Sequence, residues 1–106
     1  CQGDLELNPY HENLQAIHDL MEFANGRGIK VILFRCPMYP GYGRCWEKSY
    51  TEIRTSQFPN TTFLDFQDWT LQKEAYLDAE HLNGKGAAKF TPYFDSLITQ
   101  EIQLSL

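Results

Sequence analysis

The residues best suited to chemistry are Asp78 and His81, in the stretch YLDAEHLNGKGAAKF from Tyr76 to Phe90. A carboxylate three residues before a histidine, on a turn, can fold back to the near ring nitrogen and leave the far nitrogen aimed into a cleft. In a Ser-His-Asp triad an imidazole held this way takes the proton of a hydroxyl nucleophile and returns it to the leaving group. The carboxylate keeps the ring in the required tautomer and stabilises the imidazolium. The same pair has a plainer use. Asp78 can accept backbone amides in an Asx-type turn, and His81 can stand partly exposed ahead of a helix that Asn83 caps.

The elements around the pair must choose between these uses. Leu14, Ile17, Leu20, Met21 and Ala24 recur at helical spacing and predict a first helix, opened near Pro9. Asn25-Gly26-Arg27-Gly28 stops it, with glycine supplying a left-handed residue. Val31 to Phe34 is a continuous apolar run, the pattern of a parallel strand covered on both faces. Pro37 ends that strand because proline cannot donate to a ladder. Trp46, Tyr50 and Ile53 predict a second helix over 44–57, and 61–66 (TTFLDF) reads as a second strand. Residues 67–77 are ambiguous, with a short helical turn expected around Leu71 to Ala75. The last helix is predicted to begin between Asn83 and Gly86, burying Ala87, Phe90, Phe94, Leu97, Ile98 and Ile102, with a kink or restart at Thr91-Pro92.

The order helix, strand, helix, strand, helix implies an α/β chain with a parallel sheet. Two strands leave naked edges, and the run at 31–34 asks for neighbours on both sides. The chain therefore reads as a single segment, 1–106, a fragment of a three-layer flavodoxin-like sheet that is incomplete on its own. A missing N-terminal half or self-association would complete it.

Composition narrows the partners. The 106 residues carry a net charge of −5 and no basic cluster, which argues against nucleic acid. No apolar run is long enough to cross a bilayer. There are three cysteines, too few for a disulfide scaffold, and no CxxC. Cys36 and Cys45 flank a Pro/Gly/Tyr-rich loop and either close a short bridge or remain two free thiols. Cys1 is either the lipidated first residue of an exported protein or a cut within a longer chain, and an exported location is weakly favoured.

Three stretches together resemble the SGNH (GDSL-type) hydrolase family, over most of residues 12–98. DAEHLNGKGAAKF is similar to the family's final block, an Asp-x-x-His, a small-residue turn and the C-terminal helix. ENLQAIHDLMEFANGRGIKVILFRCPMYP resembles its helix and penultimate core strand, and TTFLDFQDW its last strand. The resemblance implies that Asp78 orients His81 and that His81 is the general base of a serine ester hydrolase. Acetyl esters of carbohydrates are the substrate class it suggests, and it implies neither an organic cofactor nor a metal.

The family's Gly-Asp-Ser nucleophile block and its upstream oxyanion glycine and asparagine do not appear. Ser49, Ser56, Ser96 and Ser105 lie on or after predicted helices, and Asn8 and Asn13 lack the Gly-x-Asn-Asp context. A base without a nucleophile or oxyanion hole loses most of its rate enhancement, so these residues alone are expected not to turn esters over. The rival reading is a non-catalytic α/β binding or assembly module completed by dimerisation.

The remaining candidates have weaker chemistry. Met38, Tyr39 and Tyr42, with Trp46 nearby, follow the first strand and are expected to wall an acyl or sugar pocket, or else to cover a sheet edge or a partner chain. Asp65, at the end of the second strand, could join Asp78 and His81 at a metal, though capping the next loop is its more ordinary role. His11, His18 and Glu80 are expected to face water.

Overall fold

The apolar stripe of the first segment folds as helix α1, His11–Asn25, which buries Ala24 most fully. The structure, a computed structural model, describes residues 3–41 and 43–104. In chain order α1 is followed by strand β1 (Ile32–Arg35), helix α2 (Glu47–Gln57), strand β2 (Thr62–Asp65), a 3-10 turn (Lys73–Ala75) and helix α3 (Gly84–Leu104). β1 and β2 pair in parallel as a two-stranded sheet, so the chain is α/β with three helices. By contact the chain divides into two compact units, Cys1–Phe34 with Gly43–Leu64, and Arg35–Tyr42 with Asp65–Leu106.

Several boundaries follow from local chemistry. α1 ends where expected, but the left-handed glycine is Gly28 (φ 69°), and Gly26 keeps a right-handed φ of −65°. The Ala24 carbonyl accepts from both Arg27 and Ile29, at 3.0 and 2.9 Å, and so absorbs the frayed end. β1 stops at Arg35, ahead of Pro37, whose ring is fully buried.

The expectation that β1 is covered on both faces does not hold, since Phe34 is 47% exposed. With one neighbouring strand among the described residues, a two-stranded sheet has too little around it to shield alternate side chains on both faces.

In the first unit, α1 and α2 are tied by His18. Its ring stacks on Phe58 with centroids 4.7 Å apart, and Nε2 lies 3.1 Å from Gln57 Oε1. His18 is thus half-buried and partnered, not simply solvated as expected. Tyr50 joins Trp46 and Phe63 through tilted ring contacts at 5.7 and 6.4 Å.

The second unit is centred on aromatics. Phe66, only 4% exposed, meets Phe90 and Phe94 edge-on at 5.1 and 5.7 Å. Trp69 stacks flat on Tyr93 at 5.1 Å.

This cluster explains why α3 runs unbroken through Pro92 where a restart was allowed for. A proline inside a helix costs about 3 kcal/mol in lost bonding and ring clash. Each well-placed aromatic pair returns about 0.5–1.5 kcal/mol beyond its buried area, and residues 90, 93 and 94 present several such pairs on either side of the proline. The anticipated stripe of α3 is narrower than drawn: Phe90 is buried and Phe94, Leu97 and Ile98 are half-buried, whereas Ala87 and Ile102 are exposed. Ala87 sits beside the helix start and Ile102 in its last turn, beyond the reach of the aromatic cluster.

Arg35 and Asp65, the last residues of the two strands, form a forked ion pair. Nε donates to Oδ1 at 3.1 Å and Nη2 to Oδ2 at 2.6 Å. The guanidinium is 10% exposed, which makes this a structural clamp between strand ends.

The Cys36–Cys45 bridge is not formed. Cys36 is a free, exposed thiol, while Cys45 is disulfide-bonded. Partial burial still pushes the Cys36 thiol above its ordinary range. Among the described residues, no helix is long and apolar enough to cross a membrane.

Candidate functional site

The loop that carries Asp78 and His81 is a small closed hairpin. Tyr76 and Leu82 form an antiparallel bridge at its base. The His81 carbonyl accepts from the amides of Leu77 at 2.8 Å and Asp78 at 3.4 Å, which draws the tip shut. The Asn83 amide donates to the Ala75 carbonyl at 2.8 Å, and the Tyr39 amide, from the segment after β1, donates to Ala79 O at 3.0 Å.

Asn83 then starts α3. Its Oδ1 accepts from the Gly86 amide at 3.0 Å in an N-cap, and its Nδ2 donates back to the Glu74 carbonyl. One asparagine therefore ties the 3-10 turn, the hairpin and the helix together.

Within this frame the predicted pair meets. His81 Nδ1 lies 2.8 Å from Asp78 Oδ1 and 3.0 Å from Oδ2. The plainer use is realised too, because Asp78 Oδ1 accepts from the Glu80 amide at 2.9 Å, an Asx turn. The two uses do not compete. The Asx turn fixes the carboxylate, and the fixed carboxylate receives the imidazole.

The Glu80 amide first, and then the His81 ring, hold the Asp78 carboxyl below the usual carboxylate range. Asp78 is thus an anion at neutral pH and can only accept, so Nδ1 carries the ring proton and a neutral His81 has its lone pair on Nε2. Among the described residues Nε2 has no partner, and the His81 side chain is 67% exposed.

The sign of the linkage follows from the lowered value. The stabilisation that these bonds give the loop is present above the ordinary carboxylate range and is lost only as pH falls through the depressed folded value. In a carboxyl-carbon NMR titration, Asp78 is expected to titrate below the ordinary carboxylate range. An Asp78 midpoint within the ordinary carboxylate range would mean that the hairpin does not persist in solution.

The other predicted residues divide. Tyr39 lies on a shallow cleft of about 360 Å³ that Tyr76, Lys73 and Asp78 also border, and its ring meets Tyr76 edge-on at 5.4 Å. His81 does not line this cleft. Met38 is 7% exposed and belongs to the core, so it does not wall an open pocket. The neighbouring Tyr39 is pinned through its amide to Ala79. Tyr42 lies outside the described residues.

Asp65 is taken by Arg35 and by the Gln67 amide at 3.0 Å, a loop cap rather than a metal ligand. Among the described residues no three His, Cys, Asp or Glu side chains gather where they could hold a metal ion. Ser49 accepts from the Leu7 amide, while Ser56 and Ser96 bond carbonyls of their own helices; none of the three bonds His81.

Sequence reasoning missed Gly86 and Tyr39's amide as the parts that hold the hairpin. The run Asn-Gly-Lys-Gly signals a turn and helix start but does not say which glycine is pressed against a neighbour.

No curated protein and no solved structure matches the chain. A model of a protein family of unknown function matches residues 7–103, and with nearly its whole length covered the chain belongs to that family.

Proposed function

We propose that the chain is the C-terminal part of an SGNH-like serine ester hydrolase and supplies the base half of its triad. The observation that carries this reading is the Asp78–His81 contact at 2.8 and 3.0 Å, with Nε2 unpartnered and the side chain open to solvent. In the parent, His81 Nε2 takes the proton of a serine hydroxyl as the oxygen attacks the acyl carbon, then gives it to the departing alcohol. It next takes a proton from water, whose attack on the acyl-enzyme frees the acid and returns the proton to serine. Asp78 stays ionised throughout. Acetyl esters of carbohydrates are the proposed substrates, by resemblance to the family.

The larger fold in this reading is a flavodoxin-like three-layer sheet, with further strands beside β1 and β2. The thin core supports it: large apolar side chains such as Leu20 and Phe23 are 64% and 54% exposed, alongside Phe34. The same exposure favours the rival reading, a non-catalytic module that completes its sheet with a second copy.

A fluorophosphonate separates the two. The native polypeptide containing these residues is expected to be labelled on a serine N-terminal to Cys1, and the 106 residues alone are expected to stay unlabelled and monomeric in light scattering. A native polypeptide with no labelled serine, together with a stable dimer of this chain, would replace the hydrolase with the module.

A further inference from the structure

The first unit holds a cavity of about 420 Å³, lined by Leu14 and Ile17 of α1, Ile53 and Arg54 of α2, and Phe58 and Phe63. That volume falls within the range of about 300–1,000 Å³ typical of small-molecule sites. The wall is largely apolar, with Asn8, Tyr50 and Arg54 as its polar members. Arg54 is the single charged side chain among the described lining residues, and its guanidinium carbon lies 4.1 Å from the centre of the Phe63 ring. Its Nε is buried and has no hydrogen-bond partner. No described residue pairs with the rest of the guanidinium either.

A buried guanidinium N–H without an acceptor is unfavourable, Arg54 as a whole is only half-buried, and guanidinium is built to meet two oxygens in one plane. A carboxylate offers those two oxygens and a single charge. A phosphate would bring more charge than one guanidinium can balance, and the wall holds no second cation.

We propose that this cavity binds a small monocarboxylate with an apolar tail, its head forked to Arg54 and its tail against the α1 and Phe58 side chains. The cavity shares no lining residue with the Asp78–His81 hairpin.

The test titrates decanoate, decanol and decyl phosphate into the isotope-labelled full chain at concentrations that preserve its native spectrum. Decanoate is expected to shift the amides of Ile53, Arg54, Phe58 and Phe63 and to bind about 10-fold or more tightly than decanol. Arg54→Met should erase that preference while leaving decanol binding unchanged. Shifts confined to other residues, equal affinity for decanoate and decanol in the unaltered chain, or a preference that survives Arg54→Met each overturn the proposal. Tighter binding of decyl phosphate than of decanoate overturns the monocarboxylate assignment. The comparison within the unaltered chain decides the matter even if Arg54→Met fails to fold.

Discussion

In the parent polypeptide with its serine, His81→Ala is expected to lower kcat/KM for an acyl ester by about 10⁴- to 10⁶-fold. The variant loses the imidazole that shuttles the proton in this mechanism, and what survives is the part of catalysis due to binding and to whatever donors face the oxyanion. Stability should hardly change, because His81 is 67% exposed and the hairpin is closed by backbone bonds that alanine retains. Asp78→Asn tests the second half of the pair. Asparagine can keep the Glu80 amide bond through Oδ1 but no longer offers an anion to Nδ1, and a loss of about 10⁴-fold follows when the ring is freed to take the wrong tautomer. The double variant should be little worse than His81→Ala alone, since the two act as one unit. Steady-state kinetics beside thermal melts would read all three. A folded His81→Ala enzyme with near-full turnover would remove His81 from the mechanism.

Where the fold could be read in advance, a local rule was enough. The stripe through Leu14, Met21 and Ala24, the β-branched and aromatic residues of 61–66, and Asn83 ahead of α3 each announce their element through neighbours a few residues away. Asp78 and His81 meet for the same reason, because a three-residue offset on a turn fixes their separation before any tertiary contact forms.

What could not be read depends on distant partners. Nothing near Met38 shows that Tyr39 will be pinned to Ala79, forty residues on, or that Met38 itself will be buried. Arg35 and Asp65 are ordinary strand-end residues until parallel pairing brings their side chains together. Pro92 reads as a break because the rule for proline is local, whereas the aromatic contacts that override it come from residues 66 and 69.

The two glycines at the start of α3 give the sharpest structural prediction, since sequence rules treat them alike and packing does not. A Cβ on Gly84 would have nothing within 4 Å, and its φ is not in the left-handed region. Gly84→Ala should therefore be neutral or stabilising by about 0.5 kcal/mol through helix propensity. A Cβ on Gly86 would overlap the Ala75 carbonyl oxygen and come within 3.1 Å of the Ala75 Cβ.

That carbonyl cannot easily move. It accepts the Asn83 amide that closes the hairpin, and Ala75 itself is only 4% exposed. Overpacking of this kind costs about 1–3 kcal/mol, and contact with backbone rather than a flexible side chain sets it at the upper end. The gain in helix propensity, about 1 kcal/mol, is too small to offset it. Gly86→Ala is expected to be net destabilising by about 2 kcal/mol, a fall of roughly 10 °C in Tm for a domain of this size.

The second readout is local. Pushing Ala75 away from α3 loosens the hairpin and weakens the Glu80 and His81 bonds to Asp78, so the Asp78 titration should move back up toward the ordinary carboxylate range in Gly86→Ala and stay depressed in Gly84→Ala. Equal melting temperatures for the two variants would show that α3 does not seat on Ala75. A lowered Tm with an unmoved Asp78 titration would show that the hairpin holds its shape without that seat.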